Sequence, residues 1–321
     1  MKKSLIAGAL VLGSLSAAGS PAFAASGPIK IVLAEEADLL EPCMATRSNI
    51  GRIIMENVSE TLTELDVRGK NGVQPRLAEK WEQNSDGSWR FHLRQGVKFS
   101  DGTDFDAKDV KHSFERIMSD KNACESRRYF GGMTVTPTVV DDHTIDFKTD
   151  PAQPILPLLM SLVTIVPEET KMEFIREPVG TGPYKLTNWT PGQQIVLTSR
   201  DDYWGKKPQV TEATYLFRAD PSVRAAMVQT GEADLSPSIS QLDATNPKTD
   251  FSYLDSETVY MRLDHNIAPL NDVRVRRALN LAIDRQAFLG TLVPEGAVLA
   301  TALVPPTTLG WNPDVKVFPY D

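Results

Sequence analysis

The chain has 321 residues, enough for about two domains at roughly 150 residues each. Hydrophobic residues make up 41% and charged residues 24%, an ordinary globular balance, and a mean hydropathy of −0.24 excludes a multispan membrane protein. With 34 basic against 42 acidic residues, a net charge of −8, the chain lacks the basic footprint that phosphate-backbone binding needs; two cysteines exclude a disulfide-dense scaffold and a Cys-rich zinc fold.

Residues Met1–Ala24 read as a secretory signal peptide. Lys2 and Lys3 precede an apolar run from Leu5 to Ala18, Pro21 breaks it, and Ala22-Phe23-Ala24 offers small residues for cleavage. The run is shorter than the ~18–20 residues a membrane span needs. Export puts Cys43 and Cys124 in an oxidising compartment, where they either close one bridge over a long loop or stay two buried thiols.

The mature chain opens with a predicted strand, Ile29–Leu33. The apolar spacing of Ile50, Ile53, Ile54, Val58 and Leu62 predicts one helix running from Ser48 through Leu62. Ser85-Asp86-Gly87 is a turn, and Trp89, Phe91 and Leu93 alternate with Arg90, His92 and Arg94 as in a half-buried antiparallel strand. Asp101-Gly102 is a second turn. Asp106 caps a helix that buries Val110, Phe114 and Ile117. Thr144–Lys148 is a short strand, and Pro151, Pro154 and Pro157 mark an irregular connection.

Further strands are predicted at Tyr184–Trp189, Gln194–Ser199, Ala213–Arg218 and Val259–Leu263. Asp220-Pro221 starts a helix that Gly231 ends. Asp272 begins what reads as the strongest helix, with Val275, Ala278, Leu279, Ala282, Ile283 and Phe288 inward and Gly290 closing it. Strands and helices are mixed rather than strictly alternating, which points to an α/β protein carrying an α+β insertion. The stretch Val304–Asp321 is rich in Pro and Gly and ends without a closing element.

No catalytic constellation emerges. His92, His112, His143 and His265 form no close pair; His112 and Glu115 share a helix face that reads as solvated. Asp101, Asp104, Asp106 and Asp109 have the wrong register for a calcium loop and read as turn, cap and first-turn acids. Gly180-Thr181-Gly182-Pro183 lacks the Gly-Lys-Ser/Thr of a phosphate loop and leads into a strand; its glycines suit a tight bend or a close approach of backbone to a ligand. No cofactor, no metal set and no enzyme activity are expected.

Several stretches are distinctive as an ordered set: Leu77-Ala78-Glu79-Lys80-Trp81-Glu82, Asp86-Gly87, Trp89 through Phe99, and Asp101-Gly102. Val179 to Tyr184, Asp202-Tyr203-Trp204-Gly205, Gly231 to Leu235, and Asp272 to Leu279 running into Ala282-Ile283-Asp284-Arg285 complete it. In order and spacing the chain resembles the family 5 solute-binding proteins of ABC importers, the dipeptide, oligopeptide and nickel binders. The resemblance runs from Ile29 to Arg285.

That resemblance implies a two-lobed periplasmic binding protein-like fold of the extended type, with an α+β domain inserted in the first lobe. The first lobe would be residues 25–41 plus 171–265, the inserted domain 42–170, and 266–321 the start of a second lobe that is incomplete here, as in a C-terminally truncated family member. It implies a periplasmic monomer that captures a peptide or peptide-like small solute by domain closure and delivers it to membrane permease subunits. The alternatives are a nickel or metal-chelate carrier of the same family and, more distantly, a secreted hydrolase.

For residues, the resemblance places Glu35, Glu36 and Met44 on a first-lobe rim. It also places Ser161 and Thr164 in an inserted-domain segment that approaches the cleft, Gly182 and Tyr184 near it, and a hinge at Asn266, Ala268 and Pro269. Packing is the competing role for each of the cleft residues. Arg274, Arg276 and Arg277 cannot all face one cleft from a single helix, and surface pairing is their expected role.

Overall fold

The structure is a computed structural model that describes residues 27–66, 72–254, 257–294, 296–308 and 310–321. The expected signal peptide lies outside the described residues. The chain divides into two compact units: the first holds the residues through Ile29 together with Ala37–Thr214, the second Lys30–Glu36 together with Tyr215–Asp321.

Strand β1 (Gly27–Leu33) comes first among the described residues. In the first unit, a 3₁₀ turn at Pro42–Met44 leads to helix α1 (Ser48–Ile54) and the strands β2 (Thr63–Leu65) and β3 (Val73–Pro75). Then come β4 (Ala78–Gln83), β5 (Trp89–Leu93) and α2 (Ala107–Met118). They are followed by β6 (Thr134–Asp141), β7 (Thr144–Asp150) and α3 (Leu156–Leu159). Strands β8 (Tyr184–Thr190), β9 (Gln194–Ser199) and β10 (Val210–Phe217) complete it, the unit boundary falling inside β10.

The core of the first unit is the antiparallel sheet β4-β5-β7-β6 with α2 beside it. Register follows the side-chain alternation. Phe91 opposes Ile145, both fully buried, while on the other face Arg90 opposes Asp146 and grips it with two bonds of 2.8 and 2.7 Å. Phe114 of α2 meets Phe130 and Phe147 edge-on, with centroids 5.1 and 5.6 Å apart. Asp106 caps α2 in a reciprocal box with Asp109, so the acidic cluster is turn and cap chemistry. The same unit contains the order β10-β9-β8, with β8 and β9 antiparallel.

In the second unit β1 lies beside β10, and Arg218 N donates to Leu33 O at 2.9 Å. Helix α4 (Pro221–Thr230) is capped by Asp220 and ends at Gly231 with φ 76, as the sequence indicates. Val32, Met227 and Ala233 pack together as a small core, joined by Leu216 and Val228. Helix α5 (Val273–Leu281) follows a cis Ala268-Pro269 bond.

Four expectations need correction. The helix at Ser48 stops at Ile54, because Glu56 takes a left-handed backbone (φ 61); Val58 and Leu62 are buried from a turn and an extended run instead. Val259–Leu263 forms no strand: Val259 is 91% exposed, and no strand pairs with this run among the described residues. Helix α5 ends at Leu281 and buries none of its residues, Gly290 closing a separate 3₁₀ turn. His112 does not face solvent but bonds the Thr170 carbonyl at 2.8 Å.

Candidate functional site

The first unit gathers its polar chemistry around one run, Ser59-Glu60-Thr61-Leu62-Thr63-Glu64. Hydroxyl residues alternate with acids and a leucine, so an extended backbone sorts the two kinds to opposite sides. Ser59 through Thr63 are fully buried. Thr63 Oγ1 donates to Pro157 O at 2.6 Å, and Thr61 Oγ1 donates to Thr63 O at 2.6 Å.

Backbone partners arrive from several loops. Ile165 N donates to Glu60 O at 2.9 Å and Thr164 bridges Thr61 in antiparallel fashion; Ala78 N reaches Leu62 O at 2.9 Å. In the turn before the run, Gly182 N donates to Val58 O (3.0 Å) and Tyr184 N to Asn57 O (2.9 Å). The approach is so close that a Cβ on Gly182 would lie 2.4 Å from Asn57 O, and one on Gly180 2.0 Å from Val58 O. This is why the Gly-Thr-Gly-Pro bend carries glycines.

Arg200 holds the bend from its other side. Its buried guanidinium donates to the carbonyls of Gly180, Gly182, Lys98 and Phe99 at 2.9–3.1 Å and to the Asp202 carboxylate. A planar five-donor fork can bind four carbonyls from two loops at once; a lysine cannot.

Glu60 is the buried charge at the centre. Arg76 reaches it at 2.6 Å, the Tyr203 hydroxyl at 2.9 Å and Trp204 Nε1 at 2.8 Å. Arg76 also pairs with Glu56 at 2.8 Å and Glu64 at 3.3 Å. Burial pulls the Arg76 guanidinium down, but Glu60 and Glu56 outweigh it and hold it above its ordinary value. Burial and then Glu60 push the Tyr203 phenol upward, so it stays a proton donor. Arg94 stacks on the Trp204 ring, 4.3 Å from its centroid. The Asp-Tyr-Trp-Gly stretch is therefore the clasp of a buried carboxylate more than 140 residues upstream.

A second anchor fixes the start of the unit. Cys43 and Cys124 form a disulfide with Cα atoms 5.3 Å apart, which settles the pairing that the sequence leaves open. Next to it Glu41 and Arg116, both fully buried, pair bidentately at 2.6 and 2.9 Å.

The expected site residues are placed as follows. Thr164, Gly182 and Tyr184 converge on the Asn57–Thr61 stretch. The Thr164 side chain is buried, and the Tyr184 hydroxyl donates to Val210 O at 3.0 Å. Ser161 is buried and donates to Leu158 O; Met44 is buried, and its sulfur accepts from Glu125 N. Glu35 and Glu36 lie in the second unit, as do Asn266, Ala268 and Pro269. The sequence pattern singles out none of Glu41, Glu60, Arg76, Arg116 and Arg200. The alternation at Ser59–Glu64 was the one signal that could have drawn attention to Glu60. Among the described residues, no group of three or more His, Cys, Asp or Glu is placed to hold a metal ion, and no helix is long and apolar enough to cross a membrane.

Residues 72–321 match the model of bacterial extracellular solute-binding proteins, family 5. The chain is 34% identical over 286 residues to the dipeptide-binding protein of Escherichia coli (strain K12), covering 79% of this chain and 54% of that protein. It is 30% identical over 288 residues to heme-binding protein A of Haemophilus influenzae, covering 79% and 52%. A solved structure shares the fold: a periplasmic binding protein associated with an ABC transporter, DppA from Helicobacter pylori, in complex with the peptide STSA. Its TM-score is 0.77 at 24% identity, with 92% of this chain and 64% of that chain covered. The chain thus spans about half the length of the curated relatives it matches.

Proposed function

The chain belongs to the bacterial extracellular solute-binding proteins of family 5, and from that premise we propose that it captures a peptide or peptide-like small solute in the periplasm and passes it unaltered to the permease of an ABC importer. The observation that carries this reading is the 34% identity over 286 residues to a protein named for dipeptide binding. Capture is by domain closure, in which a solute that contacts the closed form alone shifts the population toward it. The protein is a carrier and not a catalyst, works as a monomer, and is exported by cleavage after Ala24.

Residues 25–41 with 171–265 act as the first lobe, 42–170 as the insertion and 266–321 as the start of the second lobe, hinged at Asn266, Ala268 and Pro269. Glu35 and Glu36 act as rim residues and Tyr184 as a residue near the solute. Gly182, Met44, Ser161 and Thr164 act from behind, since each is buried in the first unit. A second reading, a nickel, metal-chelate or heme carrier of the same family, is supported by the relatives named for heme binding and for nickel binding.

The test is a thermal-shift screen of the protein against a dipeptide library, heme and nickel–histidine, with mass spectrometry of the recovered solute. A saturating dipeptide raises stability by RT ln(1 + [L]/Kd) and is recovered intact. Stabilisation by heme or nickel–histidine alone selects the second reading. A peptide recovered cleaved overturns both.

A further inference from the structure

Glu56 differs from every other residue of the polar cluster. It is the one non-glycine residue among those described with a left-handed backbone, φ 61. It sits in the turn between Met55 and Ser59, which its own amide closes by donating to Ser59 O at 2.9 Å. Left-handed backbone at a residue with a Cβ is costly and persists where surrounding contacts hold it.

The groups facing Glu56 carry an excess of negative charge. From the end of β3, Arg76 Nε lies 2.8 Å from Glu56 Oε2. From the same run, Glu60 and Glu64 both take the same guanidinium. From the loop after β9, the Tyr203 phenol is bound to Glu60. The next cation, Arg94, is committed to Glu79 at 3.2 Å, to the Arg76 carbonyl and to the Trp204 ring. Three carboxyl groups thus share one guanidinium.

The hydroxyl count makes the point independently. Thr61 Oγ1 lies 2.6 Å from Thr63 O and 3.2 Å from Glu56 Oε1, but a hydroxyl has one proton to donate. The shorter bond to the carbonyl takes it. The remaining contact is satisfied when Glu56 carries a proton on Oε1 and donates it to Thr61 Oγ1.

We propose that Glu56 is a proton-binding switch: its protonated carboxyl locks the turn between Met55 and Ser59 through Thr61, and its ionisation loosens that turn and the Gly182 and Tyr184 amides bound to it. Asn57 and Val58, the acceptors of those amides, lie inside the turn, so its state reaches the Gly-Thr-Gly-Pro bend without an intermediary. Burial pushes the Glu56 carboxyl up to about 7, with Arg76 and, least, the Thr61 contact opposing it and Glu60 and Glu64 adding to it, which puts the transition within reach of ordinary pH changes.

The experiment is a pH titration of the full chain, from 5.5 to 8.5, followed by the amide resonances of Gly182 and Tyr184 and the indole N–H resonance of Trp204. Wild type is expected to move all three with one midpoint near 7. Glu56→Gln removes the movement and Asp109→Asn leaves it in place. Glu64→Gln, which deletes a neighbouring negative charge, shifts the midpoint to lower pH, and this arm stands if Glu56→Gln fails to fold. Three flat resonances in wild type, a titration that survives in Glu56→Gln, its loss in Asp109→Asn, or an unmoved midpoint in Glu64→Gln each overturn the proposal.

Discussion

Glu41 and Arg116 stand 75 residues apart in the chain and meet as a fully buried, bidentate pair. Both carboxylate oxygens and four of the five guanidinium N–H groups are engaged. Glu41 also accepts from Cys43 N and Ile175 N, while Arg116 donates to the carbonyls of Lys171 and Glu173. The pair therefore ties the segment after β1, helix α2 and the stretch around 171–175 to one point. A buried pair adds little net stability over apolar residues of the same shape, but removing one partner strands the other charge. Arg116→Leu is expected to lose about 3–5 kcal/mol in chemical denaturation, and Glu41→Gln a comparable share. A loss under about 1 kcal/mol in both would show that water reaches the site and that the pair is not the anchor described.

The disulfide acts two residues further on, where Cys43 is joined to Cys124 across 81 residues of sequence. Closing a loop of this length restricts the unfolded chain, which typically stabilises by about 2–4 kcal/mol. The double substitution Cys43→Ala/Cys124→Ala is expected to lower the unfolding free energy by that amount in chemical denaturation. Treating the folded wild type with a mild reductant should leave it intact, because both cysteines are buried. Intact mass under non-reducing conditions checks the bridge itself.

What was legible in the sequence was local. Trp89–Leu93 alternates because a half-buried strand needs it, and Asp106 and Asp220 announce caps that bond only two or three residues ahead. The spacing extends the helix from Ser48 past its true end for an equally physical reason: Val58 and Leu62 are buried, and burial at helical spacing looks the same whether the backbone continues as a helix or turns at Glu56. Val259–Leu263 shows strand composition, but a strand exists only against a neighbour. Of the charged network the sequence offers only the alternation around Glu60; nothing near Glu60 announces its partners Tyr203 and Trp204. Buried ion pairs are decided by the packing of distant segments, and a single chain read in order carries no record of those distances.

The close approach of Gly182 to the turn at Asn57 can be tested by adding one carbon. In Gly182→Ala the new Cβ would lie 2.4 Å from Asn57 O and 2.7 Å from Asn57 C, both backbone atoms, so the two segments must separate. Overpacking of this kind costs about 1–3 kcal/mol. The Tyr184 amide, whose acceptor is Asn57 O, should lose protection from hydrogen exchange. Gly131→Ala is the control: its Cβ meets one atom, Arg128 O at 3.3 Å, and its backbone suits alanine, so the cost should stay within a few tenths of a kcal/mol. Equal effects of the two substitutions would remove the argument that the bend needs glycine for contact.

Asp109 supplies a pH dependence with a defined sign. It is buried at the start of α2 and accepts from the amides of Asp106 and Glu168. Burial pushes its carboxyl up to about 7 even though both amides favour the ionised form. An acid whose folded value lies above its unfolded value holds more protons when folded, so its contribution to stability is complete below about 4 and is lost as pH rises toward 7. Wild-type stability should therefore fall across that window, by an amount on the order of a few kcal/mol at about 1.4 kcal/mol per pH unit of separation. Asp109→Asn cannot titrate and should flatten this part of the curve, while losing some stability at pH 4 because an amide oxygen accepts only one of the two N–H bonds well. Denaturation midpoints of both proteins measured from pH 4 to 8 decide it: parallel curves would mean that Asp109 stays ionised throughout and that the two backbone amides outweigh burial.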